Sequence, residues 1–372
     1  MTLECGRKGT QKSFFLNQGQ AASCCNSYPE SLPPTLDNLL QRWQQEKQQL
    51  IDGTAITNCE TCWKHESAGL KSYRDNYGMI TTNDIELWLS NACNQMCSYC
   101  SPKFSSTWQD NVERHGLFTK VSATARANQN IPIKSDIDTD YWINQITDYI
   151  KLQPADSVNL KLLGGEPLMQ FKNLEKIISV AGNGVRKLII NTNLNPPNNK
   201  FLSMLLDTMP IHKLEFVVSL DSTPEYNHVP RAGFDQAKFE SNLILLQDYQ
   251  VKFSFSSVVS VLSVFDLPNF IAWSKSHQYY VEFSKINTPD CLDPIWLPSH
   301  IFDQIAQEFG NVDQPEILKE LHQNPQKMID LKSFEQYNYL SQYFSRTGIV
   351  PANINNVIFQ EYWSWISTKF IK

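Results

Sequence analysis

Three cysteines stand four and then three residues apart in "SNACNQMCSYCSPKFSS", residues 90–106: Cys93, Cys97 and Cys100. Thiols this close on one stretch suit a metal, because cysteine sulfur ligates both structural zinc and cluster iron. The chain carries six more, namely Cys5, Cys24, Cys25, Cys59, Cys62 and Cys291, and eight of the nine fall within the first 100 residues. Cysteines used as small core residues scatter along a chain; a cluster favours metal. Three thiolates on a short loop hold three corners of a cubane [4Fe–4S] cluster and leave the fourth iron without a protein ligand. An open iron separates reaction chemistry from electron storage. The competing reading is a closed zinc site built from Cys59-x-x-Cys62 and Cys97-x-x-Cys100. It leaves Cys93 idle and needs a longer gap than common zinc ribbons have.

The elements around the loop say how it is positioned. Strand-like runs occupy 84–90 ("DIELWLS"), 157–164, 187–193, 213–220, 252–261 and 279–286. Helix-like stretches separate them, among them "YWINQITDYIKL", "KFLSMLLDTM" and "KFESNLILLQDY". Strand starts after the second recur at the length of a βα unit. Six β-runs with intervening helices predict a parallel sheet with helices outside, as an open doubly wound sheet or a partial barrel. The three cysteines leave the C-terminal end of the first strand, the end where such sheets place their sites. Residues 114–140 read as an inserted loop. Before residue 84 come an irregular start and a Gln-rich helix over 36–52, read as a solvated face; after 295 the chain reads as helical and aromatic-rich. The expected divisions are 1–83, 84–294 and 295–372.

Composition excludes some partners. With 372 residues, 41% of them hydrophobic, the chain can bury a sizeable core. A net charge of −6 marks no surface for nucleic acid or anionic membrane. No apolar run is long enough to span a bilayer, and the N-terminus shows no secretory h-region. A cytoplasmic protein with free or metal-bound thiols is therefore expected.

"CNQMCSYC" matches the CxxxCxxC signature of the radical S-adenosylmethionine enzymes. "LKLLGGEPLM" resembles that family's GGEP segment, with Gly164, Gly165, Glu166 and Pro167 at the end of the second strand. The resemblance covers roughly residues 84 to 290. It implies an α/β fold: a partial (β/α)6 TIM-like barrel, here with an N-terminal Fe–S cluster-binding extension and a helical C-terminal region. It also implies S-adenosylmethionine chelated by the open iron of a [4Fe–4S] cluster, and reductive cleavage to a 5′-deoxyadenosyl radical that takes a substrate hydrogen. By similarity Glu166 would receive the ligand's ammonium, and Gly164 and Gly165 would let backbone approach it. Thr192, Asn193, Ser219 and Asp221 would serve ribose and methionine groups, or else cap loops. Tyr99 resembles the aromatic position near adenine.

The remaining cysteines extend the resemblance. A lone Cys5, the Cys24-Cys25 pair and "CETCWKHESAGLKSYR" resemble the auxiliary-cluster segment of the Twitch group, placed before the barrel instead of after it. Cys62, Trp63, Glu66, Gly69, Ser72 and Arg74 match that stretch. Four ligands for a second [4Fe–4S] cluster would be Cys5, one of Cys24 and Cys25, Cys59 and Cys62; the pair stays undecided. The alternative for Cys5 is an unliganded terminal thiol, and for Cys59 and Cys62 a structural zinc. Cys291, just past the sixth strand, is a candidate hydrogen-atom donor, or a packed core thiol.

The resemblance implies an oxidoreductase acting on a peptide or protein side chain, with electron transfer through the auxiliary cluster and a one-electron reductant such as flavodoxin or ferredoxin. The alternatives are oxidation or rearrangement of a small metabolite and, from another class, a non-catalytic zinc-stabilised binding module.

Overall fold

The computed structural model describes residues 5–8, 10–24, 26–72, 74, 83–132, 136–309 and 329–370. Cys25 lies outside them. In chain order the strands and helices begin with β1 (Gln11–Phe15), β2 (Gln20–Ala22), β3 (Glu30–Ser31), α1 (Leu36–Ile51), α2 (Glu60–Ser67), β4 (Asn83–Trp88), β5 (Met96–Cys97), α3 (Ser106–His115) and α4 (Ala123–Ala127). Next come α5 (Thr139–Lys151), β6 (Val158–Leu163), α6 (Phe171–Gly184), β7 (Val185–Thr192), α7 (Lys200–Thr208), β8 (Leu214–Ser219), β9 (Arg231–Ala232) and α8 (Gln236–Asp248). The chain ends with β10 (Lys252–Val259), α9 (Leu267–Ser276), β11 (Val281–Lys285), α10 (Ser299–Glu308), α11 (Ile329–Thr347) and α12 (Val357–Phe370). No described helix is long and apolar enough to cross a membrane.

The chain packs as two compact units. The first comprises Met1–Asn91, Ile133–Asn191 and Asn198–Phe216. Its sheet runs β8-β7-β6-β4-β1-β2-β3, with β8 contributing its first half. Pairing is parallel from β7 through β6 and β4 to β1, and antiparallel from β1 to β2 and β3. Alternation builds the core: Ile85 and Leu87 on β4 register with Leu160 and Leu162 on β6, and all four are buried. Helix α5 covers sheet with Trp142, Ile143, Ile146 and Ile150 at helical spacing. Asp138 caps its start, the carboxylate accepting the Tyr141 N–H at 3.0 Å.

One sequence expectation changes here. The irregular start holds β1, aligned parallel to β4 with Ser13 opposite Glu86. Its hydrophobic pattern is masked because polar residues are buried there against partners: Ser13 Oγ donates to Glu86 Oε2 at 2.8 Å, and Lys12 Nζ to Asn83 Oδ1 at 2.7 Å. Burial lowers the Lys12 pKa to about 8. The Gln-rich helix α1 forms where expected, with Gln41, Gln44, Gln45, Gln48 and Gln49 exposed as its solvated face and Leu36, Leu39, Trp43 and Leu50 buried.

The second unit comprises Ala92–Pro132, Thr192–Pro197 and Val217–Lys372. The end of β8 lies beside β10, and β10 pairs in parallel with β11. Leu214, Phe216 and Val218 alternate with less buried neighbours along β8, as predicted. The C-terminal helices α11 and α12 form an aromatic layer in which Tyr339, Tyr343, Phe359 and Tyr362 are fully buried. The fold is thus a mixed, mostly parallel sheet flanked by helices, followed by a helical C-terminal region.

Candidate functional site

The three-cysteine loop is held from every side within the second unit. Its short strand β5 pairs antiparallel with β9, placing Cys97 opposite Arg231. Cys93 is fixed at the α3 N-terminus: its N–H donates to Ser106 Oγ at 3.1 Å and its carbonyl accepts Thr107 Oγ1 at 2.7 Å. Trp108 Nε1 donates to the Cys97 carbonyl at 2.8 Å, Tyr339 to Ser98 O at 2.7 Å and Tyr343 to Met96 O at 3.1 Å. Asn128, in the inserted segment, donates to the Cys100 carbonyl at 3.3 Å. The loop's backbone is thereby satisfied without constraining its thiols.

Beside the thiols lies a buried charged network. Arg231 grips Asp221 with Nε to Oδ2 at 2.8 Å and Nη2 to Oδ1 at 3.0 Å. Tyr99 donates its hydroxyl to Asp221 Oδ2 at 2.8 Å, and the Val258 N–H reaches Oδ1 at 2.9 Å. Arg231 Nη1 also points at Cys97 Sγ, 3.7 Å away. Burial pushes the Cys97 thiol up, with Arg231 pulling it down, and pushes Cys100 up to about 12. Cys97 is buried, while Cys93 and Cys100 are partly exposed. Three cysteine sulfurs on one loop are the donor type of thiolate-ligated groups.

The structure sorts the other candidates. Asp221 accepts four hydrogen bonds, from Arg231 Nε and Nη2, the Tyr99 hydroxyl and the Val258 N–H, and so orients Tyr99 and Arg231. Thr192 Oγ1 accepts from Leu194 N at 2.9 Å and Asn193 Oδ1 from Asn195 N at 2.8 Å, so both build the turn after β7. Asn193 further ties that turn to Asn94 of the cysteine loop at 3.1 Å. Ser219 is half-buried at the end of β8. Cys291 is fully buried, its thiol pushed up by burial, near Tyr339 and Tyr362 of the C-terminal helices. Arg231, Tyr339 and Tyr343 were missed from sequence; the one available signal was that a buried Asp221 must have a cationic or hydrogen-bonding partner.

The GGEP segment lies in the first unit. Gly164 has φ +78°, and a Cβ there would run into the Trp88 indole at the end of β4, which already demands glycine. Glu166 is fully buried, and its carboxylate accepts the Leu168 N–H at 3.0 Å. Pro167 opens the short turn that follows.

The first unit also gathers the N-terminal thiols. Cys5, Cys24, Cys59 and Cys62 line one cavity, together with Lys8, Asn58, Trp63 and Arg74. Burial pushes Cys59 up to about 11, while Lys8 pulls it down. The stretch from Cys62 to Arg74 forms a lock: α2 ends at Ser67, Gly69 follows with φ +73°, and Arg74 stacks over Trp63 at 4.5 Å. Arg74 also pairs with both Glu66 oxygens, and its N–H donates to the buried Ser72 Oγ at 3.1 Å. Arg74→Ala is expected to lower the first unit's stability by about 1.5–3 kcal/mol, the usual worth of hydrogen bonds to charged groups. Urea unfolding followed by tryptophan fluorescence measures it, and an unchanged midpoint removes the lock. Among the described residues, no three His, Cys, Asp or Glu side chains, those of the two cysteine groups included, are placed as they would be around a metal ion.

No family model and no curated protein matches the chain. Among solved structures it is similar to anSMEcpe with bound AdoMet, at 16% identity and TM-score 0.42, over 61% of this chain and 55% of that one. It is also similar to SuiB of Streptococcus suis bound to S-adenosylmethionine, at 13% identity and TM-score 0.40, over 74% and 55%. SuiB bound to its precursor peptide SuiA matches at 12% identity and TM-score 0.35, over 86% and 54%. The chain spans about half the length of each. At these values the likeness assigns neither a family nor an activity.

Proposed function

We propose that this chain is a radical S-adenosylmethionine oxidoreductase with two [4Fe–4S] sites. The observation that carries the reading is the CNQMCSYC loop: three thiols on a backbone fixed by Trp108, Tyr339 and Tyr343, with the Arg231 guanidinium at Cys97 Sγ. Cys93, Cys97 and Cys100 would hold the first cluster. Bound there, the group would supply the one electron for reductive cleavage of S-adenosylmethionine. Arg231 places positive charge beside a thiolate, favouring the ligating form. Trp108, Tyr339 and Tyr343 pack on the loop around the buried Cys97, while Cys93 and Cys100 stay partly exposed. In the first unit, Gly164 and Gly165 are half-buried with positive φ, and by resemblance they would let backbone approach the ligand while Glu166 would receive its ammonium.

Cys5, Cys24, Cys59 and Cys62 would hold the second cluster, supported by their meeting at one cavity. Cys25 is the alternative to Cys24. We read the substrate as a peptide or protein side chain, following the Twitch-like arrangement of these cysteines. Its radical would be oxidised through the second cluster, and flavodoxin or ferredoxin would reduce the first.

Iron and sulfide analysis of anaerobically purified protein tests the reading. Two clusters require about eight irons per chain. About four removes the second cluster, and zinc without sulfide removes both. Cys59→Ala with Cys62→Ala is expected to lose about half the iron and stop product formation while S-adenosylmethionine cleavage persists. Mass spectrometry of 5′-deoxyadenosine and product reads both, and product formed at the wild-type rate excludes a catalytic role for that cluster. Product from a metabolite but from no peptide overturns the substrate assignment.

A further inference from the structure

Two cations line the cavity that gathers the four N-terminal thiols: Arg74, hydrogen-bonded to Glu66, and Lys8. Lys8 lines it with 1% of its side chain exposed. Its ammonium is ion-paired to Glu46 Oε2 at 2.6 Å, yet it makes no hydrogen bond of normal geometry among the described residues. Burying an ammonium is costly unless its charge and its donors are both used, and a buried donor without an acceptor calls for an explanation. Glu46 is shared as well. It accepts Asn58 Nδ2 at 2.7 Å and the Ser23 hydroxyl at 3.5 Å. Ser23 and Asn58 directly precede Cys24 and Cys59 in the chain, and Lys8 follows Cys5 by one turn, its N–H donating to the Cys5 carbonyl at 3.2 Å. One carboxylate on α1 thus ties together the three segments that carry the thiols.

We propose that Lys8, held by Glu46, is the counter-charge and N–H donor of the group bound by these thiols, and that the pair sets its one-electron reduction potential. This rests on the two-cluster reading. A cluster ligated by four thiolates is anionic and gains a further negative charge on reduction. A buried cation beside it stabilises the reduced form more than the oxidised one, and a buried carboxylate does the opposite. The two residues therefore pull the potential in opposite directions, a behaviour that mere packing at this spot would not produce.

The experiment is an EPR-monitored dithionite titration of the anaerobic holoenzyme. The N-terminal signal is the one lost in Cys59→Ala with Cys62→Ala, and the signal of the CNQMCSYC cluster is the internal reference. Lys8→Met is expected to shift the reduced-to-oxidised ratio at fixed potential at least tenfold towards oxidised, a fall of about 59 mV for one electron. Glu46→Gln is expected to shift it the other way. The reference signal stays in place in both. Shifts of the same sign, or none, overturn the proposal. If Lys8→Met loads no iron, Glu46→Gln decides alone, and an unchanged or lowered potential overturns it. A cysteine double variant that loses no signal overturns the cluster reading itself, a result distinct from an N-terminal signal whose potential ignores Lys8.

Discussion

Cys97→Ala is expected to abolish reductive cleavage of S-adenosylmethionine and to remove about four of about eight irons per chain. Of the three thiols on the loop, Cys97 is the one whose loss isolates ligation from folding. Its backbone is fixed independently of sulfur: β5 pairs it with Arg231, and its carbonyl accepts from Trp108. Alanine keeps both contacts and deletes only the sulfur, together with the 3.7 Å contact from Arg231 Nη1. Two thiols do not anchor a cubane against loss of iron, so the change acts on cofactor loading with little effect on the unfolding midpoint. The measurement pairs 5′-deoxyadenosine yield, by mass spectrometry, with iron content and the N-terminal EPR signal. Loss of cleavage with that signal retained is the expected pattern. Cleavage at the wild-type rate would remove the loop from the chemistry.

Much of this was legible before any coordinates. Runs such as "KLEFVVSL" and "YWINQITDYIKL" have clean periods of two and 3.6, and the elements formed within a few residues of the expected positions. The "CETCWKHESAGLKSYR" stretch was legible as a pattern, and the structure supplies its physics in Trp63, Glu66 and Arg74. Other features were hidden for a common reason: burial of polar groups by partners distant in sequence. Strand β1 reads as polar because Lys12 and Ser13 are satisfied by Asn83 and Glu86, about seventy residues away. Arg231 sits in "HVPRAG", which reads as a turn, and its role appears only once β9 sets it opposite Cys97. Tyr339 and Tyr343 belong to a helix whose aromatic residues read as ordinary core, yet their hydroxyls end on the cysteine loop. Glu46 and Lys8 escaped notice because a charge on a Gln-rich helix, like one in an irregular N-terminal stretch, reads as surface.

Arg231→Leu is expected to destabilise the second unit by about 3–5 kcal/mol, because it leaves the Asp221 carboxylate buried with no cation. Asp221 is 1% exposed and Arg231 6%, so water cannot take over the lost contacts. Asp221→Leu should cost a similar amount by stranding the guanidinium. The double variant should recover much of the loss, since two apolar side chains of similar volume carry no orphaned charge. Denaturant unfolding of the four proteins gives the coupling energy. Costs below about 1 kcal/mol that simply add would mean the pair is not a buried ion pair in solution. The same cycle separates stability from positioning. In the double variant the fold is restored, but the Tyr99 hydroxyl has lost its acceptor and Cys97 Sγ its N–H donor. Iron content at the three-cysteine loop should therefore stay low in the double variant although its midpoint recovers. If loading recovers along with stability, the network serves only the fold, and Cys93, Cys97 and Cys100 hold their cluster without it.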